Sequence, residues 1–236
     1  QAIELPRSVV TIGAGVFDYN SALTSIKLGP NVDASSVTGG YAETSALMSV
    51  EVDPANPNFD SVDGVLYSKD HSKLIIYPAS KNAGGAYTVL DGVQAIAYRA
   101  FQKASITSVT LPDSLRSIGE EGFRLSALTA VALPEKFETL GVCAFCSADK
   151  LDSIDLGGTI AVGGSAFEST KAKAGINFRP ELGRLATIGD FAFSRTAPAS
   201  VALPDSVTTV GEQAFSENTA LTSFHIGSGA TSFAET

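Results

Sequence analysis

The sequence predicts a repeat solenoid, a right-handed superhelix of about ten coils that combine short parallel strands with helical turns, plus one inserted β-hairpin. A large aromatic residue recurs along the chain, and from Phe101 to Phe215 the steps are 22, 22, 22, 26 and 22 residues. A short pair of apolar residues recurs with the same period, and one stretch between Val52 and Tyr87 interrupts it. A period of twenty-odd residues is typical of solenoids, whose units bury their apolar faces only against their neighbours.

The apolar pairs predict ten strands. In each pair a single residue separates two apolar ones, which is the alternation of a short half-buried strand. The pairs are Ile3/Leu5, Ile26/Leu28, Val50/Val52, Tyr87/Val89, Val109/Leu111, Val131/Leu133, Ile154/Leu156, Ile176/Phe178, Val201/Leu203 and Phe224/Ile226.

A turn follows each strand, and the chain then returns to the core. Pro6, Pro112, Pro134 and Pro204 directly follow their pairs, where proline ends a strand because it has no N–H to donate. Seven residues after the second strand residue, or ten in the case of Ile188, an aliphatic side chain points inward again, usually followed by a glycine that suits a bend. These aliphatic residues are Ile12, Ile96, Ile118, Leu140, Ile188 and Val210.

The closing aromatic completes each coil. The few residues that precede it, such as 212–215, are too few for an independent helix and predict one helical turn. We expect the aromatic rings to fill the interior, and in the last coil we expect Phe233 to point inward. The closing aromatics are Phe17, Tyr41, Phe101, Phe123, Phe145, Phe167, Phe193 and Phe215.

Residues 53–86 interrupt the period and predict a long coil with a hairpin insert. Residues 63–67 and 73–77 are two β-rich runs, and the polar residues 68–72 between them are typical of a hairpin turn. Because the strand rhythm resumes at Tyr87, we interpret residues 1–236 as a single solenoid domain. The chain begins inside a repeat and stops inside one, so we expect it to be a piece of a longer protein.

Composition excludes some classes of partner. The chain has 236 residues, of which 44% are hydrophobic and 17% charged, so it has ample apolar material for a core. Its net charge of −9 and its lack of clustered Lys and Arg argue against binding nucleic acid or an anionic membrane. No run approaches the eighteen or so apolar residues of a membrane span.

The repeats resemble the BspA-type leucine-rich repeats of bacterial surface proteins, and the resemblance covers nearly the whole chain. Residues 203–215, LPDSVTTVGEQAF, match that pattern closely, and so do residues 111–119, LPDSLRSIG. The insert is similar to a recurrent long unit of the family. Gly157, Arg179 and Leu90 stand where proline is usual, and Ser36 replaces an inward aliphatic, so we expect those coils to be looser or bent.

The resemblance implies a non-enzymatic protein, secreted or held at the cell surface, that binds other proteins or host matrix. The resemblance implies no catalytic residues in this chain. Localisation outside the cell therefore depends on the resemblance alone.

The sequence gives little support for a metal site or a catalytic site. Cys143 and Cys146 form a CxxC, but zinc needs two more ligands, and His71 and His225 are far away in the repeat order. We interpret the two cysteines as small thiols near the core, with a local disulfide or redox pair as the alternative. His71 is interpreted as a solvated loop residue. The acidic residues at 53, 60 and 63 lack the ligand pattern of a calcium loop and suit turn chemistry.

The outward residue of each strand offers the candidate binding surface. We expect Lys27, Glu51, Thr110, Asp155, Asn177 and His225 to face a ligand. The residue before each pair is Ser, Ala or Gly, which predicts a flat face. Glu51 and Asp155 lie several coils apart, too far for the paired carboxylates of a glycosidase.

These features predict a non-enzymatic protein- or glycan-binding module, without metal or cofactor, of a bacterial surface or secreted protein. Ligands would bind along the strand face or at the hairpin insert. The alternative is a structural stalk that holds other domains away from the cell.

Overall fold

The computed structural model describes residues 1–13, 15–41 and 43–234. It is a solenoid of short strands, which confirms the predicted fold class. Within those ranges the strands are β1 Ala2–Glu4, β2 Ser25–Leu28, β3 Ser49–Val52, β4 Phe59–Val62, β5 Val65–Ser68, β6 Lys73–Ile76, β7 Ala86–Thr88, β8 Ala95–Ile96, β9 Ser108–Thr110, β10 Ser117–Ile118, β11 Ala130–Ala132, β12 Thr139–Leu140, β13 Ser153–Asp155, β14 Ala161–Val162, β15 Gly175–Asn177, β16 Thr187–Ile188, β17 Ser200–Ala202, β18 Thr209–Val210, β19 Ser223–His225 and β20 Ser232–Phe233.

The ten predicted strands are all present, one in each coil, and we number the coils 1 to 10 by them. Together they form the surface that we call the first face, which consists of β1, β2, β3, β7, β9, β11, β13, β15, β17 and β19. They pair in parallel in the groups β1-β2-β3, β7-β9, β11-β13-β15 and β17-β19. The register follows the repeat, so that Ile26 lies opposite Val50 and Ile154 opposite Ile176.

A second sheet of ten strands covers the other side of the coils, in the order β20-β18-β16-β14-β12-β10-β8-β6-β5-β4. From β8 onward its strands are two residues long. The second residue of β8, β10, β12, β16 and β18 is the predicted inward aliphatic, whereas Val162 of β14 was not predicted. Ile118, for example, is 2% exposed and lies opposite Leu140 of the next coil. The sequence analysis predicted the buried residue but not the strand.

The closing segment is a non-helical turn in place of the predicted helical one. In coils 4 to 9 the residues two before and two after the ring have left-handed backbones, as Glu121 (φ 55°) and Leu125 (φ 59°) do around Phe123. Their N–H groups point along the solenoid axis: Glu121 donates to Val142 O (3.0 Å) and Leu125 to Cys146 O (3.1 Å), and between them Phe123 donates to Ala144 O (2.7 Å). Consecutive turns thus form a third hydrogen-bonded ladder, which we call the turn face.

The interior holds a column of stacked rings, as predicted. Successive rings from Phe101 to Phe215 lie 4.5–5.3 Å apart, with interplanar angles between 4° and 10°. Phe123, Phe145 and Phe167 are fully buried. Side-chain burial of this kind is the main stabilising term, because each ring removes about 150 Å² or more of apolar surface from water. The Phe233 side chain lies outside the described residues.

The insert contains the predicted hairpin, β5–β6, and one strand more. β4 pairs antiparallel with β5 around the Asp63-Gly64 turn, and β6 pairs in parallel with β8, so the hairpin joins the second sheet. Tyr77, just after β6, stacks on Phe101 at 4.7 Å and 16°. It therefore serves as the closing aromatic of coil 3, which the sequence analysis had not recognised.

The hairpin divides the interior into two hydrophobic clusters. Leu66 and Ile76 on one side of it pack with the cluster of coils 1 to 3, which extends back to Ile12. Tyr67 and Leu74 on the other side pack with the cluster of coils 4 to 9. Both surfaces of the hairpin are thus covered, and its strands present little surface to solvent.

Two of the expected departures have a backbone cause. Gly157 and Arg179 replace the usual proline with φ values of 51° and 48°, which proline cannot adopt. Arg179 precedes the 3-10 helix Pro180–Leu182, and no other helix is assigned in the described ranges. Ser36 replaces an aliphatic residue with a hydroxyl that accepts a hydrogen bond from Ile12 N at 2.9 Å. Greater looseness of these coils stays a prediction.

Candidate binding surface

On the first face, the residue that lies between the two apolar residues of each pair points outward. All of these side chains are exposed except that of Asp155, which is half-buried. The residues are Glu4, Lys27, Glu51, Thr88, Thr110, Ala132, Asp155, Asn177, Ala202 and His225. Five of the six predicted ligand-facing residues are therefore open to solvent, although no bound ligand tests their role.

Charge on this face is concentrated in the first three coils. Lys27 Nζ lies 2.7 Å from Glu4 Oε1, and both side chains are at least half exposed. The hydrogen bond from Lys27 to Glu4 raises the pKa of the lysine. Glu51 is close to Ser61, whose hydroxyl donates to the Val50 carbonyl at 2.7 Å. From coil 4 to coil 6 the outward residues Thr88, Thr110 and Ala132 are uncharged and short.

Asp155 is held by its own chain. Its carboxylate accepts hydrogen bonds from Arg179 Nε at 2.7 Å, Gly157 N at 2.9 Å and Asn177 Nδ2 at 3.2 Å. The hydrogen bond with Asp155 also raises the pKa of Arg179. A ligand would have to compete with Arg179 for this carboxylate, whereas Asn177 keeps an exposed side chain. Arg179 lies in the next coil, so residue spacing within one strand could not reveal its pairing with Asp155.

A cleft borders the flat centre of the first face. It has a volume of about 500 Å³ and is lined by Leu111, Ala132, Leu133 and Pro134, together with charged residues at the proline turns. The cleft lies where each strand of coils 5 and 6 turns at its proline. A partner on the first face therefore has a recess beside it.

The hairpin loop is more ordered than predicted. His71 is not simply solvated, because its Nε2 lies 2.7 Å from Asp60 Oδ2 and its ring contacts Tyr67 with centroids 5.7 Å apart. The hydrogen bond with His71 lowers the pKa of Asp60. Leu66, Tyr67 and Leu74 are fully buried, so the arms of the hairpin present little apolar surface to solvent, and binding at the insert stays a prediction.

The interpretation of the cysteines as two thiols is wrong, because the structure joins Cys143 and Cys146 in a disulfide. Cys143 occupies the left-handed position two residues before the ring (φ 55°), and this turn places the two Cα atoms 4.7 Å apart. That distance is within the normal range for a disulfide. The structure thus agrees with the alternative that the CxxC spacing left open, a local disulfide.

The turn face was not singled out by the sequence. Large apolar side chains are exposed there, with Tyr19 77%, Val16 53%, Val142 52% and Tyr98 37% exposed. The described ranges hold no group of three or more His, Cys, Asp or Glu residues that could bind a metal ion. No helix assigned in those ranges could span a bilayer.

The comparison with protein families decides the identity of the repeats. The family profile described as "BspA type Leucine rich repeat region" matches in six copies over residues 1–53, 86–185 and 161–236. The chain belongs to this family. Between residues 53 and 86, where the BspA-type profile does not match, the structure has the hairpin insert.

Solved structures agree on the fold. A leucine-rich repeat protein of Eubacterium ventriosum aligns with a TM-score of 0.67 at 19% identity, over 95% of this chain and 54% of that one. The pneumococcal vaccine antigen PcpA aligns with a TM-score of 0.53 at 20% identity, over 96% of this chain and 68% of that protein. The BspA-type chain thus spans about half of the E. ventriosum protein. No functionally curated protein matches it.

Proposed function

We propose that the chain is a non-enzymatic interaction module of a bacterial surface or secreted protein, and that it binds a partner protein along the first face. The observation that carries the proposal is the first face itself. Nine of its ten outward residues are exposed and small residues flank them, while most of the large side chains of the strands point into the core. Solenoids use such extended faces for binding.

The size of the first face bears on the kind of contact. Ten strands spaced by about 4.8 Å and three residues wide cover roughly 500 Å², whereas a typical stable interface buries about 800 Å² on each partner. A specific partner must therefore also contact the flanking turns. The cleft at Leu111, Leu133 and Pro134 is the recess nearest to the uncharged centre of the first face.

The disulfide supports a location outside the cell. Disulfides persist in oxidising compartments and are rare in the bacterial cytoplasm. Cys143 and Cys146 are joined, and no free cysteine remains in the described ranges. This observation is independent of the family resemblance, which favours the same location.

A binding screen tests the proposal. The purified chain would be measured by biolayer interferometry against a panel of purified host extracellular-matrix proteins. Thr110→Arg places a long charged side chain in the flat centre of the first face, and we expect it to weaken binding by at least about tenfold, or 1.4 kcal/mol. Thr139→Arg is the matched control, because Thr139 is an exposed threonine on the second sheet.

Equal loss of binding in both variants, or in neither, would contradict a site on the first face. If no matrix protein binds the chain while a longer form of the protein binds one through another domain, the chain is a structural stalk. In that case the first face is an ordinary solvated surface.

A further inference from the structure

The turn face contains a cleft where the repeat is interrupted. In coil 3 the hairpin takes the place of the segment that precedes the closing aromatic, so at this level the turn of coil 2 contacts that of coil 4 directly. Gly40 N donates to Tyr98 O at 2.8 Å, and Lys103 of coil 4 forms an ion pair with Glu43 of coil 2. A Cβ atom on Gly39 or Gly40 would overlap the Tyr98 or Arg99 carbonyl oxygen. The backbones of coils 2 and 4 are therefore in close contact beneath the cleft.

The cleft has a volume of about 320 Å³, and four glycines are among the residues that line it. This volume is at the lower end of the range of about 300–1,000 Å³ for small-molecule sites. The side chains that line it include Asp18, Thr38, Tyr41, Tyr98 and Arg99. They come from coils 1, 2 and 4, so only the folded chain brings them together.

The Arg99 side chain is held in place before any ligand arrives. Its Nε and Nη2 donate to the two carboxylate oxygens of Glu121 at 2.9 and 3.2 Å, and its guanidinium lies 4.6 Å from the centre of the Tyr98 ring. Glu121 compensates the charge of Arg99, while the hydrogens on Nη1 are not used in this pair. A fixed donor of this kind loses little side-chain entropy on binding.

Acceptors and hydroxyls complete the lining. Asp18 contributes a carboxylate, and Thr38 is exposed. The Tyr41 hydroxyl oxygen is buried and has no hydrogen-bond partner among the described residues. Because solvent cannot reach this hydroxyl, it offers no contact to a ligand in the cleft. The aromatic ring of Tyr98, the fixed guanidinium of Arg99, the Thr38 hydroxyl and the Asp18 carboxylate around a small cleft suit a polyhydroxylated ligand better than an apolar one.

We propose that this cleft binds a neutral saccharide of one or two sugar units. Its hydroxyl groups would donate to Asp18 and accept from Arg99, and a sugar C–H face would contact Tyr98. A strongly anionic ligand fits less well, because Asp18 lines the cleft and Glu121 already compensates Arg99. This proposal does not depend on protein binding by the first face, since the two surfaces share no residue.

Ligand-observed NMR provides the test. The probes are glucose, galactose, mannose, N-acetylglucosamine, maltose, lactose and chitobiose, each added to the purified chain. We expect saturation transfer to at least one of them, with a Kd of about 10 mM or lower. Tyr98→Ala should weaken that binding by at least about tenfold. Val142→Ala is the matched control, because Val142 is an exposed residue at the same repeat position two coils further along.

A second variant covers the case in which Tyr98→Ala does not fold. Thr38→Arg changes an exposed residue, fills the cleft and should abolish saccharide binding with an unchanged Tm. The proposal is overturned if no probe binds with a Kd below about 10 mM, or if Thr38→Arg binds the sugar as the wild type does. Thr110→Arg should keep saccharide binding, so failure of this site and failure of the first-face proposal are distinguishable.

Discussion

In most coils a glycine follows the strand of the second sheet. Glycine is required there because backbone atoms of the previous coil lie too close for a side chain. Gly141 has no left-handed φ, so the bend that the sequence suggested is not the reason for it. A Cβ atom at Gly141 would lie 2.6 Å from Glu120 N and from Gly119 C, both backbone atoms of the preceding coil. Only glycine lets the second-sheet edges of two coils approach this closely.

Gly141→Ala should therefore destabilise the chain by about 1–3 kcal/mol, because backbone atoms must move to accept the methyl group. Gly13 is the matched control: it occupies the same repeat position in coil 1, and a Cβ atom there meets no atom within 4 Å. Gly13→Ala should leave the free energy of unfolding unchanged or raise it by up to about 1 kcal/mol. Chemical denaturation of the two variants measures the difference. Equal destabilisation would show that local backbone conformation, rather than contact between coils, selects glycine.

The closing turn is an element that does not depend on its disulfide. Cys143 has the same left-handed backbone as Glu121, Ser165 and Gln213 at the equivalent position of other coils. Those turns form the same ladder without a covalent bond, as Ser165 N shows by donating to Asp190 O at 2.7 Å. The disulfide closes a loop of only a few residues, and such short loops gain little from a cross-link.

The double variant Cys143→Ser, Cys146→Ser should fold and lose about 2 kcal/mol or less of stability. Its Tm should equal that of the wild type measured with reductant, since both lack only the cross-link. Thermal melts followed by circular dichroism provide the measurement. If reduction unfolds the chain, the disulfide is a requirement of the fold, and the ladder does not hold this turn by itself.

The first-face strands were predictable because each carries its own signal. Ile154 and Leu156, for example, alternate with Asp155, and proline follows many of the other pairs. The two-residue strands of the second sheet could not be predicted in this way, since a strand such as Ser117–Ile118 has room for one inward residue and shows no period. β4 had a usable signal, the Asp63-Gly64 dipeptide that favours a tight hairpin turn.

The candidate surface was predicted in part. Alternation correctly placed Lys27, Thr110 and His225 outward, because the period of a strand fixes the side on which each residue lies. It could not predict that Arg179 would engage Asp155, because that contact joins different coils. The turn-face cleft was missed for the same reason, as it requires the contact between coils 2 and 4 that the insert creates.

For the whole molecule, we propose that residues 1–236 form one solenoid domain, with 53–86 as its long coil. The hairpin favours this interpretation, because Leu66 packs with one hydrophobic cluster while the adjacent Tyr67 packs with the other. Because the hairpin packs against both hydrophobic clusters, it couples the stability of one cluster to that of the other. Side chains of the core stabilise the fold, and we propose that residues that point outward bind the partner.

The most direct test of this separation compares two variants of coil 5, each measured for Tm and for binding. Phe123→Ala removes a fully buried ring and should cost about 3–5 kcal/mol, which lowers the Tm of a chain of this size by roughly 10 °C. Thr110→Arg should leave the Tm within about 2 °C of the wild type and weaken partner binding by about tenfold. An unchanged Tm for Phe123→Ala, or full binding by Thr110→Arg, would contradict the account.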